Sequence, residues 1–246
     1  MDLGIAGRRA AVAAASEGLG FATAAALREA GVAVAICGRN RAKLTAAAEQ
    51  IGAIAIVLDV GSDAGGRSFV EQAAAALGGS IDILVPNAGG PPMGGIEIVD
   101  AESVTAAMEL NLHSTIGMCS AAIESMRAQQ WGRIVAITSI TARQPIPAIA
   151  LSNITRPAVT GYLKTLALAV AKDGITVNSV QPGLHATSRM ANVDPATLAP
   201  PSGVPAGVWG RAADFGQVTA FLCSEAARYI TGIGLPIDGG MMSALQ

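Results

Sequence analysis

Short runs of consecutive apolar and β-branched residues alternate with longer stretches of helical period along all 246 residues of the chain. The short runs are 10–14, 32–37, 54–58, 81–85, 133–138, 176–180 and 235–237. The longer ones are 20–30, 41–50, 66–77, 101–129, 152–172 and 212–227. A strand with one wet face alternates polar and apolar residues, so a continuous apolar run marks a strand covered on both faces. Helices between such strands supply the covers. The pattern predicts an α/β fold, a parallel, doubly wound sheet of about seven strands flanked by helices. No linker or repeat divides it, so one domain over 1–246 is expected. The alternation stops only between Pro182 and Trp209, a stretch that also holds Pro195, Pro200, Pro201 and Pro205. A long loop outside the carboxyl ends of the strands is where such a sheet carries a substrate lid, expected around 183–209.

Composition excludes several function classes. The net charge is −2 with no Lys/Arg cluster, which gives no electrostatic case for nucleic acid. Apolar residues make up 51% of the chain, yet Gly or charges interrupt every stretch before the roughly 18 residues that a membrane helix needs. The three cysteines, Cys37, Cys119 and Cys223, lie far apart with no CxxC pair and no metal-ligand spacing. They read as small buried hydrophobes in a reducing compartment. Residues 1–4 hold no basic segment leading into an apolar one, so a cytoplasmic location is expected.

The first strand runs into Ala15-Ser16-Glu17-Gly18-Leu19-Gly20 and then a helix. Glycines at a strand-to-helix turn let the backbone approach a pyrophosphate, whose charge the free N–H groups of the helix can hold. The second strand ends at Cys37-Gly38-Arg39-Asn40, about 20 residues past those glycines, where an acidic residue would bind the ribose 2′-hydroxyl of NAD. No carboxylate stands there. Arg39 is instead placed to pair with a 2′-phosphate, which favours NADP(H) over NAD(H).

With these features the chain resembles the short-chain dehydrogenase/reductase family over nearly its whole length. The stretch from Ala14 to Gly20, with Ser16, Gly18 and Leu19, is similar to the family's Gly-x-x-x-Gly-x-Gly turn in a Rossmann fold. Asp59-Val60 resembles its adenine-contacting pair, and Pro86-Asn87-Ala88-Gly89 its Asn-Asn-Ala-Gly motif. Asn111-Leu112 resembles its helix asparagine, and Pro182-Gly183 with Thr187 its nicotinamide-side loop. Ile230-Thr231-Gly232 and Ile237-Asp238-Gly239-Gly240 resemble its C-terminal signature. Within the family the chain is similar to a divergent branch of the 3-oxoacyl-carrier-protein reductases. The resemblance implies a nicotinamide cofactor held by Ser16, Gly18, Leu19, Gly20, Arg39, Asn40, Asp59, Val60, Asn87, Ala88, Gly89, Arg156, Pro182, Gly183 and Thr187. It also implies a homotetramer or homodimer packed through the two long helices at 101–129 and 152–172. Two residues depart from the turn motif. Ala14 replaces its first glycine, where a Cβ would forbid positive φ or crowd the pyrophosphate. Glu17 adds a carboxylate just before Gly18, where an anion does not help a phosphate.

The larger departure is catalytic. The family pattern carries a tyrosine that exchanges a proton with the substrate oxygen and a lysine four residues later. Asn111 and Ser139 stand in register, but the other two positions hold Ser152 and Arg156. They are still i and i+4 and so share a helix face. A serine hydroxyl is shorter than a phenol and a far weaker acid, the phenol having a pKa of about 10. Arginine stays protonated and cannot relay a proton, although its planar fork can bind ribose hydroxyls or a carboxylate. His185, in the loop expected to border nicotinamide and substrate, is a candidate replacement acid–base group. Arg143 is a candidate for binding a substrate anion. Tyr162, roughly 80° round the helix from Ser152 and about 15 Å along it, reads as packing, and His113 as a surface residue. Three functions stay open. One is an NADP(H)-dependent oxidoreductase interconverting a carbonyl, 3-oxoacyl compounds included, and a secondary alcohol. The others are a non-redox isomerase, cyclase or lyase that only polarises a carbonyl, and an inactive cofactor-binding homologue. Fold alone does not choose among them.

Overall fold

The strands form where the apolar runs predict them. β1 (Arg9–Val12), β2 (Ala33–Gly38), β3 (Ile54–Val57), β4 (Ile83–Val85), β5 (Gly132–Ile137), β6 (Ile175–Pro182) and β9 (Gly234–Ile237) make one seven-stranded sheet. Its order is β3-β2-β1-β4-β5-β6-β9, and every pairing is parallel. The computed structural model describes residues 2–187 and 202–244. The central part of the expected lid, 188–201, lies outside the described residues. A second, two-stranded sheet joins β7 (His185–Ala186) to β8 (Gly210–Arg211) at the two ends of that stretch. Two residues are too few for any periodic signal.

Among the described residues seven α-helices cover the sheet: α1 (Gly18–Glu29), α2 (Arg41–Ile51), α3 (Asp63–Ala76), α4 (Ala101–Met108), α5 (Ser114–Gln129), α6 (Ala150–Val170) and α7 (Ala212–Leu222). Local chemistry starts several of them. Asn40 caps α2 by accepting from the Lys43 N–H at 3.0 Å, and Ser62 caps α3 by accepting from Gly65. One core layer, containing Phe69, Met118, Met126 and Leu163, lies against one sheet face. The other, containing Leu27, Leu44 and Phe215, lies against the opposite face. Burying a side chain such as Phe69 or Phe215 contributes about 1.5–3 kcal/mol. The small residues matter for how closely the helices approach. A Cβ on Gly117 of α5 would lie 2.2 Å from the Asp63 carbonyl of α3, and one on Gly216 of α7 would lie 2.3 Å from the Ala22 carbonyl of α1.

Two helices depart from their expected spans. The single helix expected over 101–129 is divided by a π turn at Glu109–His113, and the helix expected to reach residue 227 stops at Leu222. Beyond that end the Ser224 hydroxyl accepts from the Ala227 N–H, a side-chain bond that replaces a helical one. α6 carries Pro157 in its interior and continues through it. The proline withdraws the N–H that would otherwise reach the carbonyl of Asn153. Among the described residues no helix is long and apolar enough to cross a membrane. Cys37, Cys119 and Cys223 are all buried, and burial pushes each thiol up to about 12.

Candidate active site

The strand order reverses between β1 and β4, which opens a crevice outside the carboxyl ends of those strands. A cleft of ≈ 400 Å³ occupies it. The turn residues Gly18, Leu19 and Gly20 form one wall, and Asn87, Ala88 and Gly89 after β4 form the next. Thr138 at the end of β5, Arg156 of α6, and Pro182 with Thr187 after β6 close it.

The turn is built for close approach. Asn87 Nδ2 donates to the carbonyls of Ala13 and Ala14 at 3.2 and 3.3 Å and so ties β4 to the turn. A Cβ on Gly20 would lie 2.7 Å from the Ala14 carbonyl, so α1 can seat on the strand only with glycine there. Gly18 has φ +66, and Ala14 has φ +47. The expectation that a Cβ at position 14 would forbid positive φ is therefore corrected. Ala14 takes the left-handed conformation at a cost of about 1–2 kcal/mol, held there by the bonds from Asn87. Glu17 is the N-cap residue of α1, but its side chain makes no cap hydrogen bond. It pairs instead with Lys43 Nζ at 3.3 Å, at the edge of the cleft. The first N–H groups of α1 are thus left to an anion. Nothing lies within 4 Å of a Cβ built on Gly89, so open space borders that loop as well. Glycine turn, uncapped helix end and open loop together fit a dinucleotide.

The remaining cofactor candidates divide. Arg39 extends from the end of β2 and pairs with Asp59 at 3.7 Å, both side chains largely exposed. Ser16 borders a neighbouring groove with Glu17 and Lys43. Asn40 uses its side chain as the α2 cap. Val60 is buried in a core layer. Gly183 is required for a different reason than cofactor contact, since a Cβ there would lie 2.7 Å from Asp238 Cβ.

Asn111 sits in the π turn at 2% exposure. It donates through Nδ2 to the Gly89 carbonyl at 3.2 Å and accepts at Oδ1 from Thr155 Oγ1 at 3.0 Å. These bonds join the β4 loop, the π turn and α6. Ser139 caps the turn after β5 by accepting from the Thr141 N–H. Thr141 Oγ1 in turn donates to the Ser152 carbonyl at 3.5 Å, which links the two serines through one residue. Ser139 and Ser152 are both half-buried. Arg156, 8% exposed, lines the cleft and donates through Nη1 to the Ile137 carbonyl at 3.4 Å. Asn153, between Ser152 and Arg156 on the helix, exchanges two hydrogen bonds with the backbone of Ile146 and fixes the loop before α6.

Not every candidate joins this group. His185 is 7% exposed and does not line the cleft. Its ring packs edge-to-face on Phe215 with centroids 5.2 Å apart, and burial lowers its pKa. A Cβ on Gly210 would reach 2.6 Å from the ring, so the strand β8 passes directly over it. Arg143 donates to the Gly234 carbonyl at 3.0 Å, a tie to the last strand. Tyr162 packs against a core layer, and burial raises its pKa. His113 is exposed and pairs with Glu109. Gly90, Ile137, Thr138 and Thr155, which line the cleft or bond its walls together, escaped the sequence reading. Thr138 sits beside Ser139 just after β5 and had a positional signal; Thr155 is recognisable only from its bond across the interior.

The family model described as enoyl-(acyl carrier protein) reductase matches residues 13–242. A relative, dehydrogenase/reductase SDR family member 4 of Bos taurus, is 32% identical over 248 residues, covering 96% of this chain and 88% of the relative. The structure of L-sorbose reductase from Gluconobacter frateurii, complexed with NADPH and L-sorbose, superposes with TM-score 0.90 at 28% identity and full coverage, 100% of both chains. A short-chain oxidoreductase from Pseudomonas aeruginosa PAO1, described as containing an atypical catalytic center, superposes with TM-score 0.88 at 28% identity over 100% of both chains.

Proposed function

Because this chain belongs to the short-chain dehydrogenase/reductase family, we propose that it is an NADP(H)-dependent oxidoreductase that interconverts a carbonyl compound and a secondary alcohol. Ser152 and Arg156 stand in for the usual tyrosine and lysine. The observation that carries this reading is where Arg156 lies: buried, and lining one cleft with Gly18, Gly20, Asn87 and Thr138. NADPH in the sorbose reductase complex and Arg39 at the end of β2 support the phosphorylated cofactor. The match to an enoyl-(acyl carrier protein) reductase family keeps 3-oxoacyl thioesters among the substrates to be tried.

A bound nicotinamide dinucleotide supplies or accepts the hydride at the substrate carbon. The chain's own residues do the rest. The first turn of α1 holds the pyrophosphate through its free N–H groups, and Arg39 takes the 2′-phosphate. The Arg156 fork holds ribose hydroxyls and stabilises negative charge on the substrate oxygen. Ser139 and Ser152 donate hydrogen bonds to that oxygen. Neither serine is acid enough to give up its proton outright, so the proton reaches the oxygen from water. Lacking general acid help, the reaction runs about 10²–10⁴ slower than one with a matched acid.

A homotetramer or homodimer through α5 and α6 accompanies this reading, in line with the exposed Ile154 and Leu168 on α6. Three buried thiols suit the cytoplasm. The first test is titration with NADPH and NADH followed by nicotinamide fluorescence, where binding of neither would sink the proposal. Reduced-nicotinamide absorbance with a panel of ketones and 3-oxoacyl thioesters is the second. Tight binding with no ketone reduced would move the reading to a non-redox enzyme that polarises a carbonyl.

A further inference from the structure

The corner between the glycine turn and the end of β2 holds more charge than Arg39. Ser16 lies against that strand end, its Oγ 3.4 Å from a Cβ built on Gly38. The neighbouring Glu17 reaches across to Lys43, in the first turn of α2, at 3.3 Å. Arg39, the residue that follows the strand, pairs with Asp59 at 3.7 Å. Two cations therefore flank the corner where a 2′-substituent on the adenosine ribose would enter, and each is held by a carboxylate. Arg41, also in the first turn of α2, lines a separate groove with Ile54 and Gln72.

We infer that Lys43 is a second cation of the 2′-phosphate site, and that the Glu17 carboxylate restrains it and thereby limits the preference for NADPH over NADH. The inference rests on the NADP(H) reading above. Three observations carry it. The Glu17 side chain leaves the N–H groups of its own helix unbonded and is spent on Lys43. The Lys43 side chain is 60% exposed and so is free to turn toward an arriving phosphate. The Lys43 backbone is fixed beside the corner, its N–H donating to the Asn40 cap at 3.0 Å. A dianionic phosphate competes well with one carboxylate for an ammonium, since bonds between ionised partners strengthen with charge. A Glu17 carboxylate left nearby also repels the same phosphate.

The test compares dissociation constants of NADPH, NADH, 2′,5′-ADP and 5′-AMP by calorimetry for the wild type, Lys43→Met and Glu17→Gln. Lys43→Met is expected to weaken NADPH and 2′,5′-ADP about tenfold and to leave NADH and 5′-AMP within twofold. Glu17→Gln is expected to tighten the phosphorylated pair about threefold relative to the other. A merely structural role for either residue would shift all four ligands together, and that result overturns the inference. An unchanged NADPH-to-NADH ratio in both variants, with the wild type still preferring NADPH, overturns it while leaving the cofactor reading intact. No preference for NADPH in the wild type or in Glu17→Gln overturns both.

Discussion

Thr155 Oγ1 donates to Asn111 Oδ1 at 3.0 Å, while the amide nitrogen of Asn111 is bound to the Gly89 carbonyl at 3.2 Å. Both side chains are buried, so neither bond has water as a substitute. The pair locks the π turn of Glu109–His113 to α6 one residue before Arg156. It thereby couples the helix that presents Ser152 and Arg156 to the loop that borders the cleft at the strand ends.

Thr155→Val keeps the shape and removes the donor. The Asn111 carbonyl oxygen is then buried without its partner, at a cost of about 1–3 kcal/mol. Urea unfolding should show a lower midpoint with an unchanged slope. A loss below about 0.5 kcal/mol would mean that the bond contributes little to holding the turn.

Ser139, Ser152 and Arg156 do not titrate between about pH 6 and 9. Turnover of any reduced ketone should accordingly be flat across that range, whereas a phenol or histidine acid would bend the profile. Ser152→Tyr with Arg156→Lys should raise carbonyl reduction by about 10²-fold, the low end of general acid help. If the double variant is folded, binds NADPH and gains nothing, the missing side chains are not what limits the site.

His185 is held neutral by burial, with its folded pKa below the usual value of 6.5. The unfolded chain thus binds a proton at a higher pH than the folded one. Stability from this group is full above about pH 6.5 and falls as the pH drops below it toward the folded pKa. The melting temperature of the wild type should decline from pH 7.5 to 5.5, and His185→Gln should flatten that decline. Equal slopes in the two proteins would count against a buried neutral ring.

Ala14 carries φ +47 in the turn between β1 and α1. Ala14→Gly removes the Cβ clash and returns some entropy to the unfolded chain, so the net gain is up to about 1 kcal/mol. Ala14→Val, β-branched at the same φ, should cost more than about 2 kcal/mol. Thermal melts of the two variants should bracket the wild type, and a destabilised Ala14→Gly would contradict the strain.

Most of the architecture was legible in the chain because continuous apolar runs and helical period are local signals. The seven strands fall within a residue or two of the runs that predict them, and the glycine turn lies at the switch point where the motif puts it. The site was legible in part. Gly18, Gly20, Asn87, Gly89 and Arg156 do share one cleft. His185 does not, and no local feature could say so, since its burial depends on Phe215 thirty positions later and on Gly210 passing over the ring. The π turn was equally hidden, because the bonds that hold Asn111 come from Gly89 and Thr155.

The sequence by itself determined the fold class, the sheet of parallel strands and the glycine turn between β1 and α1. All of these follow from residue types at short range. Only the tertiary structure decided that Ala14 adopts a left-handed turn, that Glu17 is drawn to Lys43 and away from its own helix, and that Arg156 enters the cleft while His185 leaves it. The physical reason is the same in each case: a side chain's conformation and charge state are set by whichever partners close packing brings within a few ångströms, and those partners are distant along the chain.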